Sequence, residues 1–138
     1  MTGPVTQVAA TVPLAGSWAS AEDISFQRNR ADIQPKCESK IARLATWVNQ
    51  NPLVIVALDP HGDQSLVFTG EADPKLHERR VRAVRDALVA AGVAPERIQT
   101  GPVGERQPLC RQPTATCQEA NRRVEVLVGT PKVTAERY

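Results

Sequence analysis

The sequence predicts a small α+β fold in which one mixed sheet of four strands carries helices on one face. Short runs in which apolar and polar residues alternate, as in strands, are separated by two longer runs in which apolar residues recur at helical spacing. The runs follow one another in the order β-α-β-α-β-β. A chain of 138 residues predicts a single domain, and this order is typical of one sheet covered by helices.

The first half of the chain predicts a strand, a helix and a second strand. Residues 24–27 (ISFQ) alternate and predict a short strand. Residues 36–50 have apolar side chains at helical spacing, and the helix should end before Pro52, because proline disfavours a helical conformation in the residue before it. Residues 53–59 are rich in β-branched side chains and predict a central strand that ends before Pro60.

The second half predicts a loop over residues 61–73, a helix and two more strands. The helix begins at Pro74, with Asp73 as its N-cap, and ends near residue 91, where Gly92 acts as the helix stop. Three segments complete the chain: a short strand over 97–101, an irregular segment over 102–120 and a final strand over 123–128.

Composition limits the class of protein. The net charge of +2 is too small to indicate a nucleic-acid partner, and the aromatic residues, 4% of the chain, are scattered. No apolar run approaches the ~20 residues of a membrane-spanning helix.

Residues 1–22 and 130–138 are predicted tails around a domain over 23–129. The first tail lacks a secretory signal, so either the protein is cytosolic or an export signal or membrane anchor is missing from its N-terminus.

The three cysteines have different expected states. Cys110 and Cys117 bracket a short loop and are expected to form a disulfide, with two free thiols as the alternative. Cys37 is then either buried and free or paired between chains. The cysteines and the two histidines do not fall at zinc-binding spacing, so neither a structural metal site nor a cofactor is expected.

Five stretches in order resemble the OmpA-like peptidoglycan-binding domain, the module found in OmpA, in Pal-type lipoproteins and in the flagellar stator protein MotB. The resemblance covers residues 24–128. The stretches are ISFQRNRADIQP (24–35), IARLATWVNQNP (41–52), VIVALDPHGD (54–63), LHERRVRAVRDALVAAGVAPERI (76–98) and GPVGERQP…NRRVEVLV (101–128). The resemblance implies the same fold, a periplasmic location in the envelope of a Gram-negative bacterium and a partner, peptidoglycan, with other envelope proteins as further partners.

In this family the domain holds the diaminopimelate of the peptidoglycan stem peptide. The resemblance assigns the amino end of diaminopimelate to Asp63 and its carboxylate end to Arg80. Asp59 is the rival acid for the first role. His61 occupies the family's histidine position and Asp73 the position before the helix, so both belong to the implied ligand site. The resemblance gives Asn121, Arg122 and Arg123, at the start of the last strand, a supporting role.

The chemistry of the residues agrees with such a ligand. A free amino-acid head group is a zwitterion, which needs one anion and one cation at a fixed separation, and a guanidinium can grip a carboxylate with two parallel hydrogen bonds. Arg80 lies at the edge of the apolar stripe of its helix. Without the resemblance, Arg80 would be interpreted as a surface arginine and Asp63 as a loop-capping residue.

The loop departs from the family pattern. Pro60 and Gly62 replace a glycine and a threonine, and two extra residues separate Asp63 from Arg80. Asp73 replaces an asparagine, and its negative charge would weaken carboxylate binding or pair with Arg80. The alternative function is therefore a degenerate domain that serves as a protein–protein scaffold in an envelope complex.

An enzyme is not expected: Asp59 and Asp63 could mimic a glycosidase pair, but both lie in one loop.

Overall fold

A computed structural model describes residues 18–61, 75–100 and 114–130 of the chain. These residues form four strands, three α-helices and one short 3₁₀ helix. In chain order they are β1 (Ala19–Ser25), α1 (Pro35–Gln50), β2 (Ile55–His61), α2 (Leu76–Ala90), the 3₁₀ helix (Pro95–Arg97), β3 (Ile98–Thr100), α3 (Ala115–Asn121) and β4 (Arg123–Gly129). None of the helices within the described ranges is both long and apolar enough to cross a bilayer.

The four strands form one mixed sheet in the order β1-β4-β2-β3. β4 pairs antiparallel with β1 and with β2, whereas β2 pairs parallel with β3. One row of paired residues crosses three strands near the end of the sheet, from Ser25 through Arg123 to His61. The predicted mixed four-stranded sheet is therefore confirmed, and β1 and β2 end at the same edge of the sheet, on either side of the start of β4.

The core lies between one face of the sheet and the helices α1 and α2. Every second residue of the strands points into it, including Val56 and Leu58 of β2 and Val124 and Val126 of β4, all fully buried. The apolar stripes of α1 and α2 pack on this face; their buried apolar members are Cys37, Ile41, Leu44, Ala45 and Val48 on α1, and Leu76, Val81, Val84 and Leu88 on α2. The predicted packing of the helices on one face is thus confirmed.

β1 begins at Ala19, five residues before the predicted start of the first strand, so residues 19–22 belong to the sheet rather than to the predicted tail. The pairing of β1 with β4 shifts its register between Ser20 and Glu22. A bulge of this kind breaks the alternation of inward and outward side chains. The period-two signal is therefore visible only near Ile24, at the far end of the strand.

β2 continues through Pro60 to His61, which corrects both the predicted strand end before Pro60 and the assignment of His61 to the following loop. Pro60 has no N–H to donate and normally stays out of central strands. Its ladder partner is Val124 of β4, while the pairing with β3 ends at Leu58. Within the described ranges, Pro60 pairs with β4 on one side and with no strand on the other. The N–H that proline lacks is tolerated at such a position.

The helices also differ from the predictions at two places. The segment over 102–120 was predicted to be irregular, but its last residues form α3, where the Thr114 side chain caps the helix by accepting from the Cys117 N–H at 3.1 Å. Seven residues are too few to show helical periodicity.

α2 begins at Leu76, two residues after the predicted start, with Lys75 at the N-cap position. The predicted cap, Asp73, lies outside the described residues.

The end of α2 follows the prediction. Gly92 adopts a left-handed backbone (φ +107°), and Val93 N–H donates to Leu88 C=O while Gly92 N–H donates to Val89 C=O, each at 3.0 Å. These two bonds define a Schellman motif. A Cβ at Gly92 would lie 3.3 Å from Asn49 Nδ2, so both the backbone and the packing favour glycine.

Candidate functional site

Arg80 is completely buried, although it carries a guanidinium group. Its Nε donates to Arg30 C=O at 2.8 Å, and its Nη2 donates to Gln27 C=O at 3.1 Å. The guanidinium carbon also lies 5.3 Å from the centre of the Phe26 ring, within cation–π range. The side chain therefore joins α2 to the segment that follows β1.

The contacts of Arg80 define its place in the fold. Gln27 and Arg30 come two and five residues after Ser25, the last residue of β1. Ser25 belongs to the same row of paired residues as His61, the last residue of β2. The guanidinium is thus held at the edge of the sheet where β1 and β2 end. Arg80 was expected at the edge of the buried stripe; Phe26, Gln27 and Arg30 were not expected to contact it, because about fifty residues separate them from Arg80.

Of the three acidic residues considered for the predicted site, Asp59 is the one that lies within the described ranges. Asp63 and Asp73 lie outside the described residues. The rival acid, Asp59, is fully buried within β2, where its ladder partner is Glu125 of β4. Asp59 therefore has no surface open to solvent, as is also the case for Arg80 on α2.

His61 is 5% exposed and bonded to the sheet. Its Nε2 lies 2.9 Å from Glu125 Oε1 and 3.8 Å from Asp59 Oδ2. Burial lowers the pKa of His61 below the ordinary histidine value, and the nearby positive charge of Arg123 lowers it further, against the opposite effect of the two carboxylates. A neutral His61 in this setting is a packed residue that holds the end of β2 against β4.

Asp59, His61 and Glu125 bring one potential metal-ligating atom each within 4.8 Å of one another. Two features account for this cluster without an ion. The 2.9 Å contact between His61 and Glu125 is an ordinary hydrogen bond. Arg123, which is buried and pairs with His61 in the ladder, supplies a positive charge close enough to lower the pKa of His61. The cluster is therefore explained as an internal polar network.

The residues that lead into β4 tie the sheet to the segment beside Arg80. Arg122 Nε donates to Phe26 C=O at 3.1 Å, and Phe26 N–H donates to Arg122 C=O at 2.9 Å. Arg123 Nε lies 3.3 Å from Asp23 Oδ1, and Asn121 is buried at the end of α3. These contacts are structural in kind, and they fix the position of Phe26, on which the Arg80 guanidinium rests.

Two of the three cysteines can be described. Cys37 is a buried free thiol on α1, one of the two states expected for it. Cys117 is buried on α3. The other member of the predicted disulfide, Cys110, lies outside the described residues, and that pairing stays a prediction.

The curated proteins that this chain resembles include two envelope proteins, each about one-third identical in sequence to it. The peptidoglycan-associated lipoprotein of Mesorhizobium japonicum is 32% identical over 100 residues, which cover 72% of this chain and 58% of that protein. Outer membrane porin F of Pseudomonas aeruginosa is 33% identical over 132 residues, covering 91% of this chain and 37% of that protein. The chain thus spans a little over half of the first relative and just over a third of the second.

Solved structures share the fold. The peptidoglycan-associated lipoprotein of Burkholderia pseudomallei superposes with a TM-score of 0.64 at 18% identity, covering 78% of this chain and 90% of that one. The C-terminal domain of Helicobacter pylori MotB gives a TM-score of 0.65 at 21% identity, covering 80% and 87%. A family model described as the OmpA family matches residues 25–122, which is most of the chain and runs from the last residue of β1 to the residue before β4. The chain belongs to the OmpA family.

Proposed function

We propose that this chain is a non-catalytic periplasmic module that binds peptidoglycan through the diaminopimelate of the stem peptide and so anchors an envelope protein or complex to the cell wall. Relatives named peptidoglycan-associated lipoprotein support the choice of ligand. The relative named outer membrane porin F supports an envelope location.

The position of Arg80 is the observation that carries the proposal. Its guanidinium is fixed at the edge of the sheet where β2 ends at His61, and Asp63 follows His61 by two residues in the sequence. An acid and a guanidinium at one edge can hold the two charges of an amino-acid head group. Two donors of Arg80 are fixed by carbonyls, which orients the planar group before any ligand arrives.

Each residue of the site has a distinct proposed role. Asp63 accepts from the amino group of diaminopimelate, and Arg80 donates to its carboxylate. His61 supports the site from within the sheet, because its ring is already bonded to Glu125 and almost fully buried. Asp73, which the resemblance assigns to the position before the helix, would weaken binding of the ligand carboxylate through its like charge. Asn121 and Arg123 stabilise the framework beneath the site.

Sedimentation with purified sacculi tests this function. The wild-type chain should pellet with sacculi in a saturable manner, whereas Asp63→Asn should remain in the supernatant. Asp86→Asn, an identical change at an exposed position on α2, should pellet like the wild type. Equal pelleting of both variants would reject Asp63 as a ligand residue.

The intact mass of the same sample tests the predicted disulfide. A Cys110–Cys117 bond lowers the mass by about two hydrogens relative to the reduced chain.

One observation favours the alternative, a scaffold domain that has lost its wall ligand. Arg80 has no exposed surface, and its Nε and Nη2 are both engaged by carbonyls. An arginine retained only to join α2 to the end of β1 would have the same contacts. A folded wild-type chain that does not pellet with sacculi at any concentration would favour the scaffold.

A further inference from the structure

A groove at the other end of the sheet carries features that the wall-binding proposal does not use. The groove lies between the C-terminal half of α1 and the ends of β1 and β4, and its cavity volume is about 280 Å³. Ala21 and Val128 line it from the sheet, while Leu44 and Trp47 line it from α1. Val128 is five residues along β4 from Arg123, which places the groove about 17 Å from the row that includes His61.

Trp47 is a large apolar side chain that the fold leaves in solvent. Its exposed fraction is 42%, whereas Leu44 and Val48 on either side of it are buried in the core. Tryptophan and arginine are among the residue types most enriched where protein partners bind. Trp47 therefore gives this groove a residue type that protein partners commonly contact.

Arg43 lies one helical turn before Trp47, on the same exposed side of α1. The only other charges that line the groove belong to Lys40 and Glu22, whose Nζ and Oε1 are 3.5 Å apart. That pair is neutral as a unit, and Lys40 also donates to Asp23 C=O. No hydrogen bond or ion pair engages the Arg43 guanidinium within the described part of the chain, so the groove has one uncompensated positive charge.

From the apolar surface beside this positive charge, we propose that the groove binds a short acidic segment of a partner protein, with one bulky apolar side chain against Trp47 and one carboxylate on Arg43. The volume fits a single anchoring side chain, because pockets for larger organic ligands run from about 300 to 1,000 Å³. The charge favours an acidic peptide, because a carboxylate next to an apolar side chain matches a guanidinium next to Trp47.

Fluorescence anisotropy with a defined peptide set tests the proposal on the full chain. The probes are labelled five-residue peptides with a central Phe, Leu or Trp flanked by Asp or Glu, each beside its Asn or Gln counterpart. At least one acidic peptide should bind at least about tenfold more tightly than its amide counterpart. Arg43→Glu and Trp47→Ala should each weaken that binding by about tenfold or more, with circular dichroism and thermal unfolding confirming that the variants fold.

Arg82→Glu is the matched control, because it makes the same charge change on the exposed side of α2. It should alter binding less than about twofold. Failure of every acidic peptide to bind would overturn the proposal, as would an equal loss in Arg43→Glu and Arg82→Glu. Two other results would also overturn it. One is dimerisation of the chain that Trp47→Ala abolishes. The other is quenching of Trp47 fluorescence by peptide-free glycan strands when no peptide binds. Sacculus binding by Asp63→Asn is a separate measurement that does not involve the groove, so failure of one proposal can be told from failure of the other.

Discussion

Arg80 has a structural role in addition to its proposed role as a ligand residue. A buried guanidinium is costly unless its N–H groups find acceptors, and here the carbonyls of Gln27 and Arg30 accept from two of them. The same contacts pack the charge on Phe26 and attach the segment after β1 to α2. The residue proposed to bind the ligand carboxylate is therefore also part of what holds the domain together.

Replacing Arg80 by alanine should lower the free energy of unfolding by about 3 kcal/mol, because two buried carbonyls lose their charged donor and a cavity remains above Phe26. Arg82→Ala, an exposed position on the same helix, should change it by less than about 0.5 kcal/mol. Urea unfolding followed by circular dichroism measures both. Similar values for the two variants would contradict the structural role of Arg80.

Protonation of His61 should make the domain less stable in mild acid. Burial and Arg123 lower the pKa of His61 in the folded state, so the unfolded chain binds a proton more readily. The stability that the neutral ring contributes is complete above the ordinary histidine pKa and is lost as the pH falls from about 7 to about 5. The stability of His61→Gln should therefore fall less steeply over this interval, measured by urea unfolding at several pH values. Parallel slopes would show that His61 does not titrate in this way.

The difference between predicted and observed site residues is one of sequence distance. Helical spacing was enough to predict Arg80 at the margin of the buried stripe, because neighbours three and four residues away define that stripe. Its partners Gln27 and Arg30 lie about fifty residues earlier, and no local pattern links them. Asp63 and Asp73 came from the family resemblance rather than from periodicity, and they stay predictions.

Among the elements, those with regular patterns were predicted well. α1 was predicted over 36–50 and spans Pro35–Gln50, while β4 was predicted over 123–128 and spans Arg123–Gly129. β1 and α3 were the failures. β1 is defined at its start by pairing with β4 across a register shift, and α3 is a seven-residue helix fixed by the cap at Thr114. Both depend on partners in space or on one side chain, and neither leaves a periodic signal.

Arg97 joins α1 to β2 in a way that the sequence did not indicate. The residue was predicted to begin a strand, but it ends the 3₁₀ helix, and its guanidinium donates to the carbonyls of Val48, Asn51 and Val54 at 2.6 to 2.9 Å. The first of these carbonyls belongs to the last turn of α1, where it also accepts from the Asn51 N–H at 3.0 Å.

Arg97→Ala should therefore lower the free energy of unfolding by about 2 kcal/mol and increase amide hydrogen exchange in the last turn of α1 more than in its first. Glu96→Ala, an exposed change one residue earlier, serves as the control and should leave both quantities close to wild type. Uniform exchange along α1 in Arg97→Ala would show that Arg97 does not act as a helix cap.

Across the whole molecule, the sheet separates two proposed surfaces. Arg80 of the proposed wall-binding site is held at the edge where β1 and β2 end, and the Trp47 groove lies about 17 Å from that edge, at the other end of β4. A module with this arrangement can hold the cell wall at one end and a partner protein at the other. The order of the elements was sufficient to predict the sheet, but the placement of these surfaces depends on long-range packing.

Titration of the folded chain with diaminopimelate-containing muramyl tripeptide, followed by two-dimensional NMR, tests the central claim most directly. The matched ligand is the same tripeptide with lysine in the third position, which keeps the distal amine and lacks the distal carboxylate. Saturable shifts near Gln27 and Arg30 are expected with the diaminopimelate peptide, much weaker shifts with the lysine peptide, and no saturable shifts in Asp63→Asn. Arg80→Lys, which keeps the charge and loses the planar fork, should bind at least about tenfold more weakly. Equal affinity for the two peptides, or no saturable shift in the wild-type chain, would contradict the account.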